Sequence, residues 1–211
     1  MLDGYVSEKE QIEAIQKWWR ENGKFLMVAI IIGLAIGFGW RYWHKVEMNR
    51  AEKASVIYQT LLQADTQNKT STVEGGAKLL MNDFSSTPYA SLAALLYAKD
   101  AVAQNQLPVA LTQLQWVISN GKQKRLKQIA RINAARILLA QKNPTAAMNI
   151  LNVVDDASFA PLIAWVKGDI ATQQGDSKAA DNYYLDAKKG LEGFAPAEKL
   201  LSQRLAQPTT K

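Results

Sequence analysis

Cysteine is absent from the 211-residue chain, and histidine occurs once. The first absence excludes disulfide staples, thiolate zinc sites and a cysteine nucleophile. It assigns no compartment, because a domain without cysteine is stable on either side of a membrane. The lone histidine, His44, follows directly on an apolar run and suits an interfacial position better than a catalytic one. No phosphate-binding loop, dinucleotide fingerprint or metal-ligand cluster occurs, so neither a cofactor nor a metal is expected. The adjacent carboxylates Asp155 and Asp156 fall at a helix boundary, where acids cap helices. General acid–base work needs partners converging in a cleft. The chain therefore reads as a non-enzyme. Basic residues cluster at Lys122, Lys124, Arg125, Lys127 and Arg131, but no aromatics interleave to stack bases. A solvated or lipid-facing surface fits them better, and nucleic acid is not an expected partner.

What the chain does have is one uncharged run. Phe25 to Trp40 reads FLMVAIIIGLAIGFGW, with Lys24 before it and Arg41 after it. At the helical rise these residues span about 24 Å, against about 30 Å of bilayer hydrocarbon. Continuing through Tyr42 and Trp43 closes most of the gap, with Lys24 and Arg41 snorkelling and the aromatics at the headgroups. Residues 25–43 are thus expected to form one membrane span. The segment before it is long and acidic, and no A-x-A-like site follows, so the span reads as an uncleaved anchor. Gly33 and Gly37 make a G-x-x-x-G spacing, a candidate packing face for a second membrane helix.

The tail, residues 1–24, carries a capping box at Ser7 and Glu10 ahead of Ile12, Ile15, Trp18 and Trp19. These predict a short helix lying at the membrane surface and leading into the span across Glu21-Asn22-Gly23. Lys9, Lys17, Arg20 and Lys24 flank the span on one side, and Arg41, Lys45, Arg50 and Lys53 on the other. Four against four leaves the positive-inside rule without a preference.

From Val46 the chain reads as helix after helix. β-branched alternation is missing, alanine is abundant, and breaks come at short intervals. Ser86-Thr87-Pro88 and Asn143-Pro144 are cap-plus-proline starts, and Asn120-Gly121 is a helix stop. The stretch PLIAWVKGDIATQQGDSKAADNYYLDAKKG has the tetratricopeptide pattern: Gly168, a Gly175-Asp176 turn, then Ala180, Tyr184 and Ala187. Ala110, Leu114 and Val117 repeat it, as do Ala147, Leu151 and Val154, with Ala77 and Met81 as a degenerate first copy. Alanines 77, 110, 147 and 180 lie 33, 37 and 33 residues apart, near the expected period of about 34. The expected fold is all-α, a membrane helix followed by a tetratricopeptide-like domain at 44–206 and a frayed end at 207–211. Two features depart from the pattern. Arg131 and Lys167 stand at positions usually buried, and the first copy lacks the Gly-Asp turn.

Stacked helix pairs expose a concave face built from their first helices. The register places Leu92, Leu95, Lys99 and Val102 there from the second pair. Ile129, Ile132, Arg136 and Leu139 come from the third, and Trp165 and Asp169 from the fourth. Two readings stand: a groove for an extended or helical peptide, or core covered by the C-terminal helix or a neighbour.

The junctions Glu21-Asn22-Gly23-Lys24 and Gly39-Trp40-Arg41-Tyr42-Trp43, with degenerate tetratricopeptide pairs behind them, resemble the YfgM family, ancillary subunits of the bacterial Sec translocon. The resemblance covers nearly the whole chain. It implies a bacterial inner-membrane protein with its tail in the cytoplasm and its helical domain in the periplasm. It also implies partners: the translocon channel, a membrane-anchored periplasmic chaperone of the prolyl-isomerase class, and emerging polypeptides. The implied role is an adaptor without catalytic residues. The rival roles are a subunit that only braces a membrane complex and a stress-signalling protein acting through residues 1–24.

Overall fold

Polar breaks between alanine-rich runs divide the chain into helices. In the computed structural model, which describes residues 8–206, these are α1 (Glu8–Thr66), α2 (Thr70–Asp83), α3 (Pro88–Ala103), α4 (Leu107–Asn120), α5 (Lys124–Ala140), α6 (Pro144–Leu151), α7 (Ala160–Gln173), α8 (Ser177–Gly190) and α9 (Ala195–Ala206). A 3-10 turn at Ala157–Phe159 precedes α7, and no strand occurs among the described residues. The expected capping box lies partly outside them, at Ser7, as does the expected frayed end at 207–211. Two units are present, one up to Asn49 and one from Arg50 onward.

In the first unit, α1 is long and apolar enough to cross a membrane. Its best 18-residue window has a mean hydropathy of 1.9 and is only 6 % buried. A core helix of a soluble protein would be covered. The separate surface helix expected for the tail is absent, because α1 runs without interruption through Glu21-Asn22-Gly23. One glycine costs a helix about 1 kcal/mol, too little to end it here. Asn22 Nδ2 donates to the Trp18 carbonyl at 3.1 Å. The Trp19 indole covers Gly23, so that a Cβ there would lie 3.4 Å from Nε1.

The second unit is built from four helix pairs, and the turn inside each pair is the same. Asn68, Asn105, Lys142 and Gly175 all have positive φ, at 54°, 59°, 59° and 79°. In each case the following amide reaches back over the turn: Lys69 to Ala64 O (2.9 Å), Gln106 to Ala101 O (2.7 Å), Asn143 to Leu138 O (2.9 Å) and Asp176 to Ala171 O (3.0 Å). This left-handed cap satisfies the orphan carbonyls of the first helix and turns the chain into the second. The turns recur after 37, 37 and 33 residues. The first pair therefore has the turn after all, with asparagine in place of glycine, since asparagine tolerates the left-handed region.

The turn also corrects the register of the first copy. Ala110, Ala147 and Ala180 each come five residues after it, and all are buried. In the first pair that place belongs to Val73, also fully buried. Ala77 sits one helical turn later, in the position of Leu114, Leu151 and Tyr184. The reason is an exchange of volume. In the later pairs the first helix offers a small residue (Ala98, Ala135 or Gly168) and the second fills the space with Leu114, Leu151 or Tyr184. In the first pair Leu61 supplies the bulk from α1, and Gly76 and Ala77 make room on α2. One further copy falls short of its expected extent. α6 ends at Leu151, so Val154 lies beyond it and is exposed.

Gly121 ends α4 for a reason other than a left-handed cap. Its φ is −58°, but a Cβ there would meet the Val117 carbonyl oxygen at 2.5 Å. Successive pairs share walls: buried residues of α3, α4 and α5 form one cluster, those of α5, α6 and α7 the next.

Two substitutions test this construction. A Cβ at Gly168 would lie 2.5 Å from the Tyr184 ring, so Gly168→Ala is expected to cost about 1–3 kcal/mol by overpacking. Lys142→Gly relieves a side chain held at positive φ and is expected to add up to about 1 kcal/mol. Denaturant unfolding of both variants checks the signs, and the same sign for both would contradict the register.

Candidate functional site

A cavity of about 310 Å³ opens on the face made by the first helices of the second and third pairs. Leu95, Ala98, Lys99 and Val102 line it from α3, Leu114 from α4, and Asn133, Arg136 and Ile137 from α5. The spacing explains the grouping. Residues three and four apart on a helix share a face, so 95, 98, 99 and 102 form one wall and 133, 136 and 137 another. Ala98 and Ala101 keep α3 low enough against α4 for Leu114 to form the floor. The wall is apolar except for Lys99, Asn133 and Arg136.

The charges at the rim are arranged unevenly. Lys99 Nζ donates to both carboxylate oxygens of Asp65, each at 2.7 Å. That hydrogen bond holds the Asp65 carboxyl below its ordinary value. Burial, followed by the neighbouring Asp65 carboxyl, pushes Asp100 up. Arg136 is exposed and makes none of the ion pairs seen among the described residues.

Of the ten positions expected on the concave face, four come together in this cavity: Leu95, Lys99, Val102 and Arg136. Leu92 and Ile129 are half-buried and lie outside it. Ile132 is core, 4 % exposed among Leu151, Ile163 and Val166, because it points to the next pair rather than to the groove. Leu139 packs on the same cluster, and its carbonyl accepts from Gln173 Nε2 at 3.1 Å. Trp165 packs with Leu201 and Leu205 of α9. Asp169 accepts a hydrogen bond from the Tyr184 hydroxyl at 2.9 Å, with Arg204 Nη2 at 3.7 Å. The C-terminal helix therefore covers the fourth pair, while the second and third stay open. Ala98, Asn133 and Ile137 were missed, although their one- and three-residue offsets from Lys99 and Arg136 carry the signal; Leu114, on α4, was read only as a repeat position.

A second group of polar side chains ties the loop after α6 to α5. Gln128 is fully buried, and its Oε1 accepts from the amides of Asp155 (2.8 Å) and Asp156 (3.4 Å). Arg131 Nε donates to Asp155 at 2.6 Å, which accounts for an arginine at a normally buried place. Asp156 caps the 3-10 turn through the Ser158 amide and pairs with Arg125 at 3.6 Å. The carboxylate pair thus holds the loop after α6 onto α5. No cluster of metal-ligating side chains occurs among the described residues. Gly33 and Gly37 stand in open space, with nothing within 4 Å of a Cβ at either.

The tetratricopeptide repeat-like domain family matches residues 16–207. A protein of Escherichia coli K12 named as an ancillary SecYEG translocon subunit is 30 % identical over 179 residues, covering 85 % of this chain and 86 % of the relative. One of Haemophilus influenzae with the same name is 32 % identical over 189 residues, covering 87 % and 90 %. The chain belongs to the ancillary SecYEG translocon subunit family. A more distant family member, from Neisseria gonorrhoeae, is 26 % identical over 97 % of this chain. No solved structure matches the chain. Family membership accords with the fold, a long apolar N-terminal helix ahead of tetratricopeptide-like pairs.

The hydrogen bond from Tyr184 of α8 to Asp169 of α7, beside Arg204 of α9, is testable. Burial, above all, raises the Tyr184 hydroxyl pKa. A group raised in the folded state gives stability that is complete below its unfolded pKa, about 10, and is lost as pH climbs toward the folded value. Tyr184→Phe is expected to cost about 1 kcal/mol at neutral pH by losing the bond to Asp169. It should also lose less stability than the wild type between pH 9 and pH 11, about one unit either side of that unfolded pKa. Urea titrations at the two pH values read both effects.

Proposed function

We propose that this chain is a membrane-anchored, non-enzymatic adaptor of the Sec translocon, whose repeat domain passes emerging polypeptides to chaperones. In this reading the tail lies in the cytoplasm, α1 crosses the inner membrane, and the helix pairs stand in the periplasm. The partners are the channel, a membrane-anchored chaperone of the prolyl-isomerase class, and unfolded segments of clients. The observation that supports it most is the cavity over α3 and α5. It is apolar, open to solvent and left uncovered where α9 closes the adjoining pair. The names of the relatives support the translocon as the setting.

An apolar groove with a few polar groups holds an extended or helical segment by side-chain burial and a small number of directed bonds. Affinity per contact need not be high. A tether converts weak binding into an intramolecular event at an effective concentration of order mM. No step in this role forms or breaks a covalent bond, so it needs no perturbed acid, base or nucleophile.

A photoreactive side chain at Val102 is expected to capture many different polypeptides in vivo. The same probe at Asp181, exposed on α8, should capture few. Capture restricted to one or two fixed membrane subunits from both positions would make the chain a brace instead.

A further inference from the structure

The four helix pairs share one register, and it carries charge at a fixed place. Six residues before the turn residues Asn68, Asn105, Lys142 and Gly175 stand Leu62, Lys99, Arg136 and Asp169. Three residues before them stand Asp65, Val102, Leu139 and Thr172. The two places meet between successive pairs. Lys99 of the second pair donates to both carboxylate oxygens of Asp65 of the first, each at 2.7 Å. One step along the stack the cation is Arg136. The place of Asp65 is then taken by Val102, which offers it no charge.

Two of the three charged residues at the first place are answered within the chain. Asp65 holds Lys99, and Tyr184 and Arg204 hold Asp169 at 2.9 Å and 3.7 Å. Arg136 makes no hydrogen bond or ion pair among the described residues. The side-chain amide of Asn133, one helical turn away on the same face, makes no hydrogen bond among them either. Both side chains line the 310 Å³ cavity, beside Leu95, Val102 and Ile137. The cavity is therefore apolar on its walls and carries unanswered donors on one side. Lys99, already spent on Asp65, adds no net charge to it.

We propose that this cavity, read as above as a site for polypeptide, takes segments in which an Asp or Glu side chain stands beside apolar ones, and that Arg136 with Asn133 receives the carboxylate. The occupant supplies the group that the chain itself supplies one pair earlier through Asp65. A guanidinium binds a carboxylate through two parallel N–H donors, and the neighbouring amide adds a third. Apolar side chains buried against Leu95, Val102 and Ile137 exclude water from the pair and strengthen it. A basic segment would set a like charge against Arg136. The carboxylate is that of a side chain, since a client still emerging has no free C-terminus to offer.

The test uses the full-length chain in phosphatidylcholine nanodiscs and short fluorescent peptides blocked at both ends. The peptides share one leucine-rich sequence and differ only in a central Glu, Gln or Lys. The Glu peptide is expected to bind about three- to tenfold more tightly than the Gln peptide, the worth of one charge-assisted hydrogen bond, with the Lys peptide weakest. Arg136→Gln should level Glu with Gln, and Arg136→Glu should make the Lys peptide the tightest. Equal binding of all three by the wild type would overturn the carboxylate and leave the polypeptide groove standing. Binding of none would overturn both. A Gln peptide with a free C-terminus that outbinds the blocked Glu peptide, or displacement of the Glu peptide by phosphatidylglycerol vesicles but not by its unlabelled form, would give the site to another ligand and overturn the proposal. A second measurement needs no peptide. Val102→Asp puts a carboxylate where the register puts Asp65, so a double-mutant cycle with Arg136→Gln, read by urea unfolding, is expected to show favourable coupling. Zero coupling would overturn the register on which the proposal rests.

Discussion

Every helix pair of the second unit is closed by one exchange of volume at the crossing of its two helices. Where the first helix carries alanine or glycine, the second carries leucine or tyrosine; where the first carries Leu61, the second carries Gly76 and Ala77. A pair of amphipathic helices cannot bury its faces alone, so each must serve as a wall for the next. The distance between the two helices sets how much of that wall remains. Close crossings keep the first helices of successive pairs near one another. Leu114 can then form the floor of a cavity whose sides come from α3 and α5. The left-handed turn before each second helix fixes the same geometry from the backbone side.

The same exchange explains what was legible in the sequence. The last pair announces itself, because Gly168, Gly175 and Tyr184 are the residues that the crossing and the turn most favour. The first pair hides both signals. Its turn uses Asn68, and its large residue sits on the other helix, so alignment on alanine lands one helical turn late, on Ala77 rather than Val73. Arg131 looked anomalous for a buried site because its partner, Asp155, is 24 residues away. The membrane span needed no tertiary information, since lipid demands a long uncharged helix. A separate surface helix, leading into the span across Glu21-Asn22-Gly23, was expected for the tail. It did not form, because a single unfavourable residue is outweighed by the ordered helix on both sides.

The candidate face was legible only in part, and the reason is again physical. Repeat register identifies residues that point away from the second helices. It does not say whether another element covers them. α9 packs on Trp165, and Arg204 approaches Asp169. Ile132 lies one helical turn from Arg136 and is already inside the wall shared with α7. What remains open is a cavity between two adjacent pairs, smaller than the expected groove and better defined. Asp155, Asp156, Arg125 and Arg131 hold the loop after α6 onto α5.

The central claim is that an apolar N-terminal helix fixes this repeat surface beside the translocon, on the far side of the membrane from the tail. Protease treatment of intact spheroplasts, followed by affinity purification of the full-length chain from untreated membranes, tests it most directly. The account predicts that residues 44–206 are lost to protease while the tail stays protected, and that the translocon channel is recovered with the intact chain. A protected repeat domain, or a chain recovered without the channel, would contradict it.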